Sequence, residues 1–459
     1  MPNKRIAVVG GVAAGPRAAA VAQRTSEDAE VVLYEQGPRI SYGACEMPYY
    51  VADWIEEAET LVVLSPEEFE ESRGATVRVH HRVQEVDTEQ GRLVVENTET
   101  GETTEDPFDE CILCTGASAR VPDGVDTDLP NVFAVRRLQD VVGIKEELDE
   151  GDVREAVILG GGYIGVEMAE ALRERGVSVT VLEPAGGLLN QYLDEDMRPL
   201  IHEVVRENDV TIREAGGQSV VAENGRARAV VTSEGDEIKG QLVLVAMGVE
   251  PNTALAEAAG AEIGETGALA VDDAMRTGVD GLWACGDCVQ VERVVDGEPV
   301  HLPLSPVAYR TARVAARNAA QSSDDSSELD RFAGVCVTSA VKVFDWEVAA
   351  VGLRLDEARE AGFDAVAQTT EHWSRVAIYP GAQKLHVRYV AERSTGRLLG
   401  AELAGPEGVA HRADVLVPLI REGWSLERIY ELDLVYAPPF APAMDPLLVA
   451  ARNTMKQLS

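Results

Sequence analysis

The sequence predicts an α/β protein with two similar βαβ units, followed by a separate α+β domain. The first unit has an apolar strand at residues 5–9, a glycine turn, a helix and a second strand that ends at Glu35. Residues 155–183 repeat this order of strand, glycine turn, helix and strand. Strand-like and helical segments alternate again from Val335 to a helix near Arg412, and they predict the third unit.

Chain length and charge limit the possible functions. The 459 residues exceed one domain of ~150 residues, so we expect two or three compact units. Acidic residues number 79 and basic residues 41, and the resulting net charge of −38 makes nucleic acid an unsuitable partner. The acidic residues are spread along the whole chain, and only six of the cations are lysine. This pattern suits a high-salt cytoplasm, so we interpret the protein as halophilic.

The cellular compartment and the state of the cysteines follow from the apolar runs. No run approaches the ~18 residues that a membrane-spanning helix needs, and residues 6–9 are too few for a secretion signal. We therefore expect a cytoplasmic protein with no membrane partner and with reduced thiols. Cys111/Cys114 and Cys285/Cys288 have the spacing of zinc ligands, but they lie 174 residues apart in different strand motifs. We interpret them as small strand residues and expect no metal site.

The second glycine turn has the complete GxGxxG pattern of a dinucleotide site, with Gly160, Gly162 and Gly165. Glycines allow the tight turn and let a pyrophosphate approach the start of the next helix. Glu183 follows Gly165 by 18 residues, where a carboxylate can accept a hydrogen bond from a ribose 2′-hydroxyl and repel a 2′-phosphate. This unit therefore predicts a nicotinamide nucleotide site that favours NADH over NADPH.

The first glycine turn matches the pattern less well, because Val12 replaces the central glycine between Gly10 and Gly15. Its acidic residue, Glu35, follows Gly15 by 20 residues. One such turn is also compatible with an ordinary strand-to-helix connection, but two in one chain favour a pair of dinucleotide sites.

Two further apolar strands end in residues that suit a ligand site. One strand leads into Thr115 and Gly116, and the other leads to Asp287. Ligands of parallel sheets collect at the carboxyl ends of the strands. These ends therefore support a nucleotide site.

Together, these segments resemble the flavoprotein disulfide reductases with two dinucleotide domains, over essentially the whole chain. The resemblance implies an FAD-binding domain at residues 1–118 and 249–325, an NAD-binding domain at 119–248, and a dimerisation domain at 330–459 that forms a homodimer. It assigns to FAD the residues Gly10, Gly11, Val12, Gly15, Glu35, Thr115, Gly116 and Asp287. It assigns to NADH, or else to NADPH, the residues Gly160, Gly162, Tyr163, Ile164, Gly165, Glu183 and Gly248.

The segment around Cys45 resembles the single-cysteine branch of that family. Two-cysteine members have CxxxxC here, whereas Tyr50 occupies the second position in this chain. Their C-terminal His-Glu pair is also missing, since the last histidine is His411. The branch includes coenzyme A disulfide reductases, polysulfide reductases, and NADH oxidases and peroxidases. Ala13 stands where the oxidases and peroxidases typically have a histidine, which disfavours peroxide chemistry.

Four residues are similar to functional positions of coenzyme A disulfide reductases. Tyr436, in the segment Tyr-Ala-Pro-Pro, and Tyr379 match active-site tyrosines. Ser41 and Arg24 match residues that contact coenzyme A. The resemblance thus implies that coenzyme A is a substrate or a bound thiol.

Two neighbours of Cys45 affect its chemistry in opposite directions. Pro48 suits the first turn of a helix, so we expect Cys45 near a helix N-terminus, where a thiolate is favoured. Glu46 opposes this effect through its like charge, and it departs from the small residue of the family pattern. Ala44 also differs from the family pattern, in which some members have Asn at this position. Both differences bear on which substrate the protein uses.

The resemblance implies an FAD-dependent oxidoreductase that uses NADH, or NADPH, to reduce coenzyme A disulfide or a related small disulfide through Cys45. Reduction of polysulfide or sulfur and oxidation of NADH by oxygen are the alternatives within the branch. An alternative from another class is a flavoprotein reductase that serves an electron-transfer protein. Cys45 would then be dispensable.

Overall fold

The computed structural model of the chain describes residues 4–184, 186–321 and 329–458. Its first sheet has five parallel strands, β1 (Arg5–Val9), β2 (Glu30–Tyr34), β3 (Thr76–Arg78), β7 (Glu110–Leu113) and β18 (Leu282–Ala284). Their order across the sheet is β18-β7-β1-β2-β3. Helices α1 (Ala14–Thr25) and α8 (Ser305–Ala320) pack against its strands and against each other. The order makes β7 and β18 neighbours although they are far apart along the chain.

A second five-stranded parallel sheet contains the repeated unit. Its strands are β9 (Val132–Ala134), β10 (Glu155–Leu159), β11 (Ser178–Leu182), β12 (Val210–Arg213) and β16 (Leu242–Val245). They are arranged in the order β12-β11-β10-β16-β9. The helices of this region are α4 (Leu138–Glu150), α5 (Tyr163–Glu174) and α6 (Arg198–Glu207). An antiparallel sheet of β13 (Gly217–Glu223), β14 (Arg226–Thr232) and β15 (Glu237–Lys239) lies between β12 and β16 in the chain.

The apolar runs of the sequence form the central strands of both sheets. Residues 6–9 of β1 and 156–159 of β10 are buried throughout, as expected for parallel strands that are covered on both faces. Helix α5 buries Val166, Ala169 and Leu172, which recur at the spacing of one helical face.

Shorter elements lie between the strands of the first sheet or follow it along the chain. They are β4 (His81–Asp87), β5 (Arg92–Asn97), β6 (Thr103–Pro107), β8 (Ala117–Ala119), β17 (Val249–Pro251), β19 (Val291–Glu292), β20 (Pro299–Val300), α2 (Met47–Val51), α3 (Pro66–Arg73) and α7 (Ala254–Ala258). Single 3₁₀ turns occur at Ala58–Leu61 and Gly286–Cys288. Strands β8 and β17 pair antiparallel, so the chain leaves the first sheet and returns to it at one place.

The C-terminal part is an antiparallel sheet with helices. Its strands are β21 (Thr338–Val343), β22 (Trp346–Gly352), β23 (Ala365–Trp373), β24 (Lys384–Glu392) and β25 (Leu398–Gly405), in the order β21-β22-β25-β24-β23. Its helices are α9 (Leu355–Glu360), α10 (Val409–Arg421), α11 (Leu426–Tyr430) and α12 (Pro446–Met455). Helix α10 packs on β22 and β25, and α12 packs on β23 and β24.

The predicted fold class is confirmed: two parallel α/β units precede an α+β domain. The domain boundaries stay predictions, and the one at residue 325 lies outside the described residues. Within those residues, every helix is too short or too polar to cross a membrane.

Candidate active site

Both glycine turns hold the start of a helix tightly against the end of a strand. A Cβ atom on Gly15 would lie 1.6 Å from the carbonyl oxygen of Gly10, and one on Gly165 would lie 2.0 Å from that of Gly160. Neither position can therefore accept a side chain without moving the backbone. A Cβ atom on Gly162 would instead meet nothing within 4 Å, so the second turn leaves an open cradle. That cradle fits a nucleotide pyrophosphate at the start of α5.

The acidic residue of each unit is fixed against its own turn. Glu35 Oε2 accepts a hydrogen bond from the Gly11 N–H at 2.6 Å, and its Oε1 accepts one from the Gly37 N–H at 2.7 Å. Glu183 Oε2 accepts one from the Gly161 N–H at 2.8 Å. Each carboxylate therefore lies against the glycine turn of its own unit, beside the start of the following helix.

The carboxyl ends of β7 and β18 meet beside the first turn. Thr115 Oγ1 donates to the carbonyl oxygen of Asn252 at 2.7 Å, and Asp287 pairs with Arg136 at 2.7 Å. A Cβ atom on Gly116 would meet nothing within 4 Å, which leaves room for a ligand. The set of acids, turns and open space at this edge fits FAD.

The remaining nucleotide residues occupy the same two edges. Val12 lies within the first turn, Ile164 lies in the first turn of α5, and Gly248 joins β16 to β17. Burial raises the pKa of Tyr163 to about 12, so its hydroxyl stays protonated at neutral pH. The ring of Tyr192 lies edge-on at 5.7 Å from the ring of Tyr163.

Cys45 is exposed and lies two residues before α2. Pro48 is in the first turn of that helix, which agrees with the prediction. The sulfur atom lies 3.5 Å from Ser305 Oγ, at the first residue of α8. Ser41, close to Cys45 in the chain, donates its N–H to the Gly11 carbonyl at 2.9 Å. The thiol is therefore held between the first turn, α2 and the start of α8.

The other five cysteines are buried. Burial raises the pKa of Cys288 to about 12, and it also raises the pKa values of Cys111 and Cys114. The distance of 174 residues along the chain does not keep the two CxxC pairs apart in the structure, because Cys114 Sγ lies 3.4 Å from Cys285 Sγ. Neighbouring strands β7 and β18 bring the two together. Within the described residues no group of three or more acidic, His or Cys side chains is arranged to hold a metal ion.

The two tyrosines lie on exposed loops of the C-terminal domain. Tyr379 is 37% exposed and Tyr436 is 56% exposed. Ile378, Val435 and Phe440 beside them are 93%, 91% and 76% exposed. The structure thus gathers both tyrosines on an apolar surface, and it does not join them to Cys45 within one chain by a hydrogen bond between described residues.

The sequence did not single out several residues near Cys45. Ser305 and Arg136 have no motif of their own. Ser305 begins α8, which packs on the first sheet, and Arg136 follows β9 of the second sheet and reaches Asp287 across the two units. Glu167 lies one helical turn after Tyr163, and burial together with the charge of Glu170 raises its pKa to about 7. The spacing of four residues from Tyr163 was a signal that could have identified Glu167.

Arg17 and Arg24 lie on α1, seven residues apart and so on one face of the helix. Arg24 is exposed. The Arg17 Nε atom is buried and has no hydrogen-bond partner within the described residues. This helix face therefore carries positive charge, with Arg17 nearer the glycine turn and Arg24 in the last turn of α1.

The chain matches the family model "Pyridine nucleotide-disulphide oxidoreductase" at residues 4–319, and the family's dimerisation-domain model at residues 338–447. It is 33% identical to the NAD(P)H sulfur oxidoreductase (CoA-dependent) of Pyrococcus furiosus, over 98% of this chain and 99% of that protein. It is 28% identical to the coenzyme A disulfide reductase of Staphylococcus epidermidis, over 96% and 97% of the two chains.

Solved structures agree with these sequence matches. An NAD-dependent persulfide reductase from A. fulgidus superposes with a TM-score of 0.94 and 31% identity, over 99% of this chain and 83% of that chain. The two family models together cover most of the chain. The protein therefore belongs to the pyridine nucleotide-disulphide oxidoreductase family, a family of enzymes that depend on FAD and NAD(P)H.

Proposed function

We propose that this enzyme uses NADH to reduce coenzyme A disulfide, or a related low-molecular-weight disulfide, through Cys45. The observation that carries the proposal is the environment of this thiol. Cys45 is exposed, and Tyr50 stands where two-cysteine members have their second cysteine. An incoming disulfide can therefore reach the sulfur, while an internal disulfide at this position is impossible.

The chain supplies the residues that would bind both nucleotides. Glu35, Thr115, Gly116 and Asp287 would hold FAD at the ends of the first sheet. The open cradle at Gly162 would hold the pyrophosphate of NADH. When bound, FAD supplies the two-electron link between the nicotinamide and sulfur.

The chemistry of this chain begins at the Cys45 thiolate. The thiolate attacks one sulfur of the substrate disulfide, a mixed disulfide forms at Cys45, and the second half of the substrate leaves as a thiolate. Ser305 can donate its hydroxyl hydrogen to the Cys45 sulfur, 3.5 Å away. The leaving thiolate needs a proton, and tyrosine hydroxyls can supply one in place of the missing histidine.

A homodimer would bring those hydroxyls to the sulfur. The exposed apolar side chains of Ile378, Val435 and Phe440 need a covering surface. The chain also matches the family's dimerisation-domain model. We infer that Tyr379 and Tyr436 reach the Cys45 site of the second subunit.

Coenzyme A is the thiol that we favour as a component of the substrate disulfide. Arg17 and Arg24 place positive charge on one face of α1, and the unpartnered Arg17 Nε suits an anionic oxygen. Ser41 lies beside the first glycine turn, which precedes α1. This local patch matters because the net charge of −38 otherwise repels a polyanion.

Polysulfide or sulfur reduction is the second candidate. It is favoured by the P. furiosus relative, whose name combines sulfur reduction with coenzyme A, and by the persulfide reductase structure. In this case coenzyme A would stay at Cys45 as a bound thiol. The halophilic, cytoplasmic setting remains part of the proposal and rests on the charge pattern.

Cys45→Ser tests the proposal, with Cys336→Ser as the matched control because Cys336 is buried in the C-terminal domain. We expect the Cys45 variant to retain FAD and its reduction by NADH but to lose turnover of coenzyme A disulfide. The control should retain both. Intact mass spectrometry of the oxidised wild type should show a coenzyme A adduct at Cys45 that reductant releases. Full disulfide turnover by the Cys45 variant would contradict the proposal and favour the electron-transfer alternative.

A further inference from the structure

Residues 186–197, here called the bridging loop, connect the second glycine turn with the C-terminal domain. The loop follows β11, and it ends at the start of α6. Most of its apolar side chains are buried: Leu188, Leu189, Leu193 and Met197 are each 1% exposed or less. The loop is therefore an ordered part of the core rather than a surface segment.

One side of the bridging loop contacts the proposed NADH site. The Asn190 amide donates to Glu183 Oε1 at 3.4 Å. The Tyr192 ring lies edge-on to the ring of Tyr163 at 5.7 Å. The loop thus touches both Glu183, the acidic residue expected at the ribose, and Tyr163, a residue assigned to the nicotinamide nucleotide. A shift of the loop would move both contacts together.

The other side of the loop is bound by a buried charge cluster of the C-terminal domain. Arg388 on β24 donates from Nε to Asp194 Oδ2 at 3.1 Å, and it also pairs with Asp196. Glu402 on β25 accepts the Asp194 N–H at 2.9 Å. Arg388 and Glu402 are directly opposite each other in the sheet. Asp194 is therefore held by its side chain and by its backbone.

A second, smaller contact attaches the loop to the start of α9. Arg354 donates to the Asn190 carbonyl oxygen at 3.1 Å, and the Leu355 N–H donates to Asp194 Oδ2 at 3.1 Å. Asn190 therefore has its side chain on Glu183 and its carbonyl group on the C-terminal domain. This residue links the two regions directly.

The cluster is buried, and its main effect is on the position of the residues that it holds. The side chains of Arg388, Asp194 and Glu402 are 5%, 6% and 2% exposed. Removing the charges of Arg388 and Asp194 from water costs free energy that their attraction only partly repays, so such a buried pair contributes little net stability. Their geometry is nevertheless demanding, because a buried guanidinium must face its carboxylates. The cluster therefore fixes where Asp194 lies.

We propose that Arg388, Asp194 and Glu402 position the bridging loop for nicotinamide nucleotide binding, although all three lie outside the glycine turn. The inference rests on the proposed NADH site at Gly160–Gly165 and Glu183. Through Asp194 the C-terminal domain holds Tyr192 against Tyr163 and Asn190 against Glu183. The three cluster members are positioning residues, since none of them touches the nucleotide cradle.

The test compares Arg388→Met, which keeps much of the side-chain volume, with Arg388→Lys, which keeps the charge but loses the forked donors. Asp296→Asn is the matched control. Asp296 is 4% exposed and forms a buried acid–arginine pair with Arg293, and its hydrogen bonds within the described residues go to Arg293 and Glu298 rather than to the bridging loop. The full-length holoenzyme is measured for FAD content, for the KM of NADH and for the KM of the disulfide substrate.

We expect Arg388→Met to raise the KM of NADH about tenfold, an effect typical of coupling through a packed element. The KM of the disulfide and the FAD content should not change, and Arg388→Lys should recover part of the loss. The control should behave as the wild type. An unchanged KM of NADH in Arg388→Met with normal FAD content would overturn the inference. So would an equal rise in the control.

A milder variant keeps the inference testable if Arg388→Met does not fold. Arg354→Gln removes the arginine donor to the Asn190 carbonyl but leaves the buried cluster intact. It should raise the KM of NADH about threefold, and an unchanged KM would overturn the inference. Anaerobic reduction of the wild-type FAD by NADH is measured separately. Its failure would contradict the proposed function itself, whereas normal reduction with unaffected variants would contradict only the role of the cluster.

Discussion

Replacing Glu183 by glutamine tests whether one charge determines the choice of nicotinamide nucleotide. Glu183 Oε2 accepts the Gly161 N–H at 2.8 Å. Glutamine keeps an oxygen that can accept this hydrogen bond, so the turn should retain its shape while the charge is lost. Glu183→Ala removes the charge and the hydrogen bond together. The difference between the two variants therefore separates electrostatics from the structure of the turn.

The expected magnitude follows from the charge that glutamine removes. Two like unit charges ~5 Å apart repel by ~3 kcal/mol at an effective dielectric constant of ~20. Solvent and salt reduce this to ~1–2 kcal/mol at a half-exposed site, which corresponds to a factor of about 5 to 30. We therefore expect the kcat/KM for NADPH to rise about tenfold in Glu183→Gln. The kcat/KM for NADH should fall, because an amide accepts a weaker hydrogen bond from a ribose hydroxyl than a carboxylate does.

The assay is the ratio of kcat/KM for NADH to kcat/KM for NADPH, measured in low salt and in molar salt. The gain for NADPH should shrink in molar salt, where the Debye length is ~3 Å. Glu203→Gln serves as the control, since Glu203 is an exposed acid on α6 of the same unit. A ratio that stays the same in Glu183→Gln at both salt concentrations would refute the role of this charge.

Three other changes test separate parts of the structure. Gly15→Ala places a Cβ atom 1.6 Å from the Gly10 carbonyl, so we expect purified protein with little or no bound FAD by absorbance. Burial, followed by the charge of Asp194, raises the pKa of Glu402 from 4.5 to about 8, so its contribution to stability is full below pH ~4.5 and is lost as the pH rises through 8. Glu402→Gln should remove this loss, which denaturation midpoints measured from pH 5 to 9 would show as a flatter profile; a profile parallel to that of the wild type would contradict it. Tyr436→Phe should slow disulfide turnover while stopped-flow reduction of FAD by NADH stays unchanged, and equal slowing of both steps would exclude a role at the sulfur.

Local features of the chain were predictable because each depends on a short segment. The glycine turns, the acids that follow them and the apolar strands fall within about thirty residues of each other in each unit, as a βαβ unit requires. The structure places Glu35 on Gly11 and Glu183 on Gly161, in equivalent positions. The helix start at Pro48 is likewise a local signal, since proline fits the first turn.

Contacts between distant segments were not predictable, because they depend on the order of strands and on the packing of domains. Ser305 meets Cys45 across 260 residues, and Cys114 meets Cys285 across 171. Neither contact has a sequence pattern. A large separation along the chain was therefore a poor reason to place the CxxC pairs apart, since parallel strands commonly pair across long connections.

The cluster of Arg388, Asp194 and Glu402 is a further contact between distant segments that the sequence does not predict. Arg388 belongs to a strand that reads as an ordinary buried segment, with Val387 and Tyr389 both fully buried beside it. A single arginine in such a strand predicts a partner, since an unpaired buried charge is too costly. The sequence does not say that this partner comes from the nucleotide-binding unit. The structure identifies this partner as Asp194, which accepts a hydrogen bond from Arg388 of the C-terminal sheet.

Burial separates Cys45 from the other five cysteines of the chain, because Cys45 is exposed and the other five are buried. Disulfide exchange requires the thiolate, and a buried thiol resists the charge. Burial therefore raises the pKa of Cys288 to about 12, and it also raises the pKa values of Cys111 and Cys114. Cys114 and Cys285 are near enough to react with each other, yet they are closed to a soluble disulfide. Cys45 is the exposed thiol of the chain, so under the proposed function its position between α2 and Ser305 would determine where electrons leave the protein.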